Sequence, residues 1–241
     1  MDDVPRRGQP IATWALIAVN VLAFFLLVGL PESELREVFY LFGIVPRRFT
    51  HPEWAEWAGF PADSYWPFVT SMFLHGGWVH LLSNVWSLWL FGDNVEEEMG
   101  TGRYLAFYFL CGVVAGIVHW FTNPDSPVPA VGASGAIAGV LGAYLLSFPR
   151  ARLIVLVPIL FYPLFFEVPA VFYLGLWFLS QFFTGALALV SPEAAGGIAV
   201  WAHVGGFVAG VATFALFLKP RGLRRRLEED EGWIEQAWRP H

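Results

Sequence analysis

Charged residues are scarce in this chain. They make up 14 % of its 241 residues, against about 25 % in an ordinary soluble domain. With 56 % hydrophobic residues and 12 tryptophans, that shortage excludes a soluble globular domain and indicates a membrane protein. Basic charge is not in excess either. The formal net charge is −6, and nothing in the pattern suggests a nucleic-acid partner. Cysteine occurs once, at Cys111, which excludes an intramolecular disulfide; inside an apolar run it reads as a small packing residue. No signal-peptide core is evident. The first apolar run, Ile11 to Leu30, is about 20 residues long, the length of a membrane span.

What is present is a series of apolar helices. Six can be drawn, at about Ile11–Leu30, Trp78–Val95, Tyr104–Phe121, Ser134–Phe148, Ala170–Val190 and Trp201–Leu218. The stretch Leu153–Phe166 is also apolar, but Pro158, Pro163, Pro169 and Glu167 interrupt it, so an interfacial or re-entrant segment is expected there. The loop of about 31–74, rich in tryptophan and proline, is expected to fold back onto the outer leaflet, where amphipathic rings prefer to sit. The expected domain plan is a tail at 1–10, a membrane domain at 11–218 and a tail at 219–241. With six spans, one side collects Arg6, Arg7, Arg103, Arg150, Arg152, Lys219, Arg221, Arg224, Arg225, Arg226 and Arg239, and the other only Arg36, Arg47 and Arg48. The basic excess places both termini in the cytoplasm.

That topology gathers polar residues at one depth. The stretch Gly132-Ala133-Ser134-Gly135 opens an apolar helix that Pro149 closes, because the residue before a proline leaves the helical region. About 15 residues rise roughly 22 Å, so across a core of about 30 Å Ser134 lies roughly 8 Å beneath the outer face. His80, Asn84 and His203 fall in the first turns of their own spans, at the same outer end. His80 and Asn84, four apart, share a helix face. Gly135 and Gly139 on one helix, and Gly206 and Gly210 on another, form faces of small residues that let two backbones approach closely. Packing those faces would set Ser134 beside His203.

Acyl transfer suits this set. A serine hydroxyl needs a base to become a nucleophile, and a neutral imidazole within hydrogen-bond reach supplies one. The oxyanion of the tetrahedral intermediate needs donors, and the Asn84 amide, the His80 imidazole and the N–H of Ser134 at a helix start are available. No carboxylate accompanies the pair, so a dyad without an acidic third member is expected. Polar groups at membrane depth are costly and mark functional sites by default. A different use of the histidines stays open: His75, His80 and His203 could hold a metal, although no carboxylate or thiolate joins them at that depth. His75 and His119 otherwise suit structural roles.

The residues resemble the rhomboid intramembrane serine proteases over roughly 10–218. His75-Gly-Gly-Trp-Val-His80-Leu-Leu-Ser-Asn84 is similar to the family's second-helix pattern, Gly132-Ala-Ser134-Gly135 to its nucleophile motif, and Ala202-His203-Val-Gly205-Gly206-Phe-Val-Ala-Gly210 to its sixth-helix motif. Gly92-Asp-Asn-Val-Glu96 followed by Gly100 and Gly102 resembles the stretch where a glutamate ties the cytoplasmic end of the second helix to its neighbours. The resemblance implies an all-α bundle of six transmembrane helices in a multi-pass cell-membrane protein. It implies Ser134 as nucleophile, His203 as general base and acid, and an oxyanion and substrate-binding set of His80, Asn84 and Gly132. It further implies no cofactor, and substrates that are single transmembrane helices cut near their outer end. The helix at about Ala170–Val190, with Trp177, Phe178 and Gln181, corresponds to the family's lateral gate. Several members carry an aromatic residue four after the serine, stacked on the base; here that position is Ala138, and Trp201 is the expected substitute. The rival expectation is a catalytically silent relative that binds transmembrane helices.

Overall fold

The computed structural model describes residues 4, 8–61, 64–159, 162–190 and 199–220. Arg6, Arg7 and the arginines after Pro220, which carry much of the orientation argument, lie outside the described residues. All six apolar stretches are helical. The first, α1 (Ile11–Leu27), starts after Pro10. The loop that follows is more ordered than its composition suggested, and its prolines are the reason. Pro31 precedes α2 (Glu32–Phe42), whose first turn carries Glu32 and Glu34, favourable at the positive end of a helix. Prolines then open α3 (Pro46–Thr50), α4 (Pro52–Trp57) and α5 (Pro67–Thr70), where the missing N–H costs nothing. A 3-10 turn, Ser71–Phe73, completes the loop.

Two long helices follow, α6 (Trp78–Met99) and α7 (Thr101–Thr122). They are separated by Gly100, whose φ of 82° lies in the left-handed region that glycine adopts at no steric cost. α6 runs four residues past the expected Val95, and Glu96 explains why. Its carboxylate, only 3 % exposed, accepts from Ala12 N at 2.9 Å, Thr13 N at 2.8 Å, Thr13 Oγ1 at 2.9 Å and Thr101 Oγ1 at 2.9 Å. One acid thereby caps the open N-terminus of α1 and ties it to the start of α7, the role the motif comparison implied for it.

The centre of the molecule is α8 (Ser134–Ser147), in which every residue from Gly135 to Tyr144 is buried. A helix that is apolar all round has to be surrounded on all sides, and α6, α7 and the last helix, at Val200–Phe217, surround it. Tyr104, Phe107, Tyr108 and Cys111 of α7 and Leu88, Phe91 and Val95 of α6 fill the core around it.

After α8 the chain forms an antiparallel hairpin of β1 (Arg152–Ile159) and β2 (Tyr162–Pro169), in register from Arg152↔Pro169 to Ile159↔Tyr162. The interfacial or re-entrant segment expected here is therefore a β-hairpin. The prolines taken as breakers are compatible with it, because both strands of a two-stranded sheet are edges and an edge tolerates proline. Two helices complete the fold, α9 (Ala170–Val190) and α10 (Val200–Phe217). Among the described residues three helices, α7, α9 and α10, are long and apolar enough to cross a membrane, and α1 and α8 are shorter apolar helices.

Candidate active site

The site is built where α8 and α10 meet. Gly206 and Gly210 of α10 face Gly135 and Gly139 of α8 so closely that a methyl group added at Gly206 would run into the Gly135 carbonyl, its carbon 2.9 Å away. At Gly210 it would meet Gly139 Cα at 2.7 Å. With the backbones in contact, the first residue of α8 and the first turn of α10 come level. Ser134 Oγ lies 2.8 Å from His203 Nε2. The structure therefore joins the two side chains that the glycine spacing put side by side.

The other ring nitrogen is also occupied: His203 Nδ1 lies 2.7 Å from Gln181 Oε1 of α9. One helical turn before Gln181, Trp177 packs on the imidazole with ring centroids 6.0 Å apart and planes at 35°. This corrects the expectation for Trp201. That residue packs instead against Phe182 and beneath Gly185, and the aromatic brace on His203 is Trp177. The sequence held a signal for it, since Trp177 and Gln181 are four apart and share a helix face. Without the α9–α10 packing their target could not be named. Ala138, fully buried in the α8 core, leaves no room for an aromatic at its position.

Gly132 sits between the remaining groups. Its φ of 129° lies where side chains are strained, and a Cβ there would lie 2.6 Å from His80 Nε2 and 3.7 Å from Ser134 Oγ. His80 and Ser134 thus flank one glycine, which Gly132 N fixes by donating to Ser71 O at 2.8 Å. Asn84, one turn beyond His80 on α6, is 6 % exposed, and its Nδ2 has no hydrogen-bond partner. A buried donor left unpaired costs about 1–3 kcal/mol, so its retention calls for a reason. At the N-terminus of α8 no side chain caps the helix, and its first amides have no acceptor within the helix.

His75 packs edge-on against His80, ring centroids 5.1 Å apart. Burial, with His80 beside it, pushes its imidazole down to about 4, so it stays neutral near pH 7. His119 lies against a small cavity of about 40 Å³ behind Ser134, which Ser71 and Gly132 also line. That is room for water beside polar groups. Among the described residues no three His, Cys, Asp or Glu side chains converge as a metal site would need.

The loop before α6 is pinned close by. Ile44 pairs with Ala130, and Trp120 Nε1 donates to Thr50 Oγ1 at 2.8 Å. Arg48, 5 % exposed, lies over the Phe49 and Phe60 rings at 5.5 and 5.1 Å.

The model of the rhomboid domain matches residues 62–220. Among curated proteins, the chain is 36 % identical over 140 residues to Rhomboid protease GluP of Bacillus subtilis, covering 58 % of this chain and 25 % of that protein. It is 39 % identical over 87 residues to the putative rhomboid protease YdcA of the same organism, covering 36 % of this chain and 43 % of that protein. It is also 44 % identical over 81 residues to Rhomboid-like protein 11, chloroplastic, of Arabidopsis thaliana, covering 34 % of this chain and 28 % of that protein. The chain thus spans from a quarter to less than half the length of these relatives.

Proposed function

Because the chain belongs to the rhomboid family, we propose that it is an intramembrane serine endopeptidase that cuts single transmembrane helices through Ser134 and His203. The observation that carries this reading is the 2.8 Å approach of Ser134 Oγ to His203 Nε2. In the reaction, His203 Nε2 takes the hydroxyl proton as Ser134 Oγ bonds to the scissile carbonyl carbon. The carbonyl oxygen becomes an oxyanion. The amide N–H at the head of α8, the His80 ring and the Asn84 Nδ2 donate to it, and a role of this kind explains why Asn84 keeps an unpaired donor. Collapse breaks the C–N bond as His203 returns its proton to the leaving amine. A water, for which the cavity lined by Ser134 has space, then gives a proton to His203 as its oxygen bonds to the acyl carbon, and the bond from that carbon to Ser134 Oγ breaks as His203 returns the proton to Oγ.

The bundle crosses the membrane six times, with 11–218 as the membrane domain, the stretches 1–10 and 219–241 as cytoplasmic tails, and the site opening to the outer side of the cell membrane. The 14 residues of α8 rise only about 21 Å, which leaves Ser134 short of the outer face of a core about 30 Å thick. A substrate helix enters past α9 and is cut near its outer end, where small or helix-breaking residues let it unwind. No cofactor takes part. Ser134→Ala or His203→Ala is expected to lower cleavage of a model transmembrane helix in detergent at least about 10³-fold, with thermal stability retained. A fluorophosphonate is expected to label the wild type at Ser134. Cleavage surviving either change, or labelling at another residue, would remove the dyad.

A further inference from the structure

We infer that Gln181 is a positioning residue for the base: it fixes the tautomer of His203 from the opposite side to Ser134, completing a neutral Ser-His-Gln chain across three helices. The inference rests on the dyad reading above and goes a step beyond it. A carbonyl oxygen has no proton to give, so Gln181 Oε1 at 2.7 Å requires the proton on His203 Nδ1. Nε2 is then left with the lone pair that faces Ser134 Oγ. The opposite tautomer would point an N–H at the hydroxyl and could not take its proton. An imidazole selects its tautomer through the hydrogen bond its other nitrogen makes.

Two further observations hold the amide in its accepting orientation. Gln181 Nε2 donates to Ser180 Oγ at 3.4 Å, which turns the amino group away from the ring. Trp177, packed on the imidazole, keeps the ring plane in line with both partners. The choice of an amide over a carboxylate follows from the setting, since an ionised acid at membrane depth is expensive. A neutral acceptor provides the orientation at less desolvation cost, though it stabilises the imidazolium less. Gln181 rides on α9, so one helix both borders the substrate's path and holds the base in register.

The test uses the full chain in detergent and two readouts, the rate of fluorophosphonate labelling and kcat against KM for a model transmembrane helix. Gln181→Met keeps the length of the side chain and removes the acceptor. It is expected to slow labelling and lower kcat each by about 10-fold or more, with KM within about 3-fold and Tm unchanged. Gln181→Glu, which can accept at the same place, is expected to restore most of the labelling rate. Wild-type labelling in Gln181→Met with only KM altered would assign Gln181 to substrate entry and overturn the proposal. Equal losses in both variants would overturn it as well. Either failure is distinct from failure of the dyad, which would appear as cleavage or labelling that persists in Ser134→Ala.

Discussion

The two flanks of α10 are built on opposite plans. Towards α8 there are no side chains to speak of: Gly206 and Gly210 lie against the backbone of Gly135 and Gly139. Towards α9 the contact is made of rings, with Phe178 stacked on Phe207 at 4.6 Å and Trp177 touching both Phe207 and His203. Burial follows the same division. In α8 every residue from Gly135 to Tyr144 is buried, whereas of the apolar stretch of α9 only 17 % is. Backbone-to-backbone packing has one solution, because neither partner can rotate or shrink; ring-to-ring packing at a lipid-facing edge has several of similar energy. The first plan suits a seam that holds Ser134 and His203 within a hydrogen bond; the second is the softer contact, as suits the proposed entry of substrate past α9. One imidazole stands at the junction, set level with Ser134 by the glycine seam and contacted from the other side by Gln181 and Trp177 of α9.

The α8 flank is the more sensitive of the two to added bulk. Gly206→Leu places a branched side chain against the Gly135 carbonyl, an overpacking that neither helix can relieve. It is expected to cost upwards of about 3 kcal/mol and to abolish folding or cleavage, read as loss of a cooperative thermal transition in detergent. A folded, active Gly206→Leu would show that the seam is not rigid. Next in size is Glu96→Ala, which strips four donors of one shared acceptor and is expected to cost about 3 kcal/mol. Because the tie lies at the far end of α6 from His80, the residual folded fraction is expected to label with fluorophosphonate at the wild-type rate. A specific loss of labelling in that fraction would mean that the anchored end and the site are coupled.

How much of this was legible beforehand differs along the same divide. The seam could be read, because four glycines at helical spacing and a Ser-His pair at matching ends leave few arrangements open. The helix limits could be read to within a few residues for the same reason, with the end of α6 as the exception. There the apolar run stops at Val95 while the helix continues; the resemblance implies a tie through Glu96, and only the fold names its partners as Ala12, Thr13 and Thr101. The hairpin of β1 and β2 was hidden by prolines whose cost depends on whether a strand is an edge, which a sequence does not state. The short helices α3, α4 and α5 announce themselves through proline at their first turn, a local signal outweighed by the expectation of a loop. The brace on His203 is legible in composition but not in address: the resemblance implies a gate helix for Trp177 and Gln181, whereas their contact with the base depends on how α9 leans on α10.

The smallest effect probes that lean directly. Phe182, 41 % exposed, meets Trp201 of α10 edge-on at 6.2 Å. Losing one such aromatic pair costs about 1 kcal/mol, and lipid fills the place of the ring. Where substrate enters past α9, as proposed, Phe182→Ala should leave Tm within about 3 °C while loosening the contact of α9 with α10 by about the same 1 kcal/mol, equivalent to about 5-fold in the population of an admitting position. The expected result is a rise in kcat/KM of up to about 5-fold for a transmembrane helix, with fluorophosphonate labelling unchanged, because a small soluble probe reaches Ser134 without passing between helices. A fall in both rates would place Phe182 among the residues that hold the base, and no change in either would mean that α9 does not limit entry.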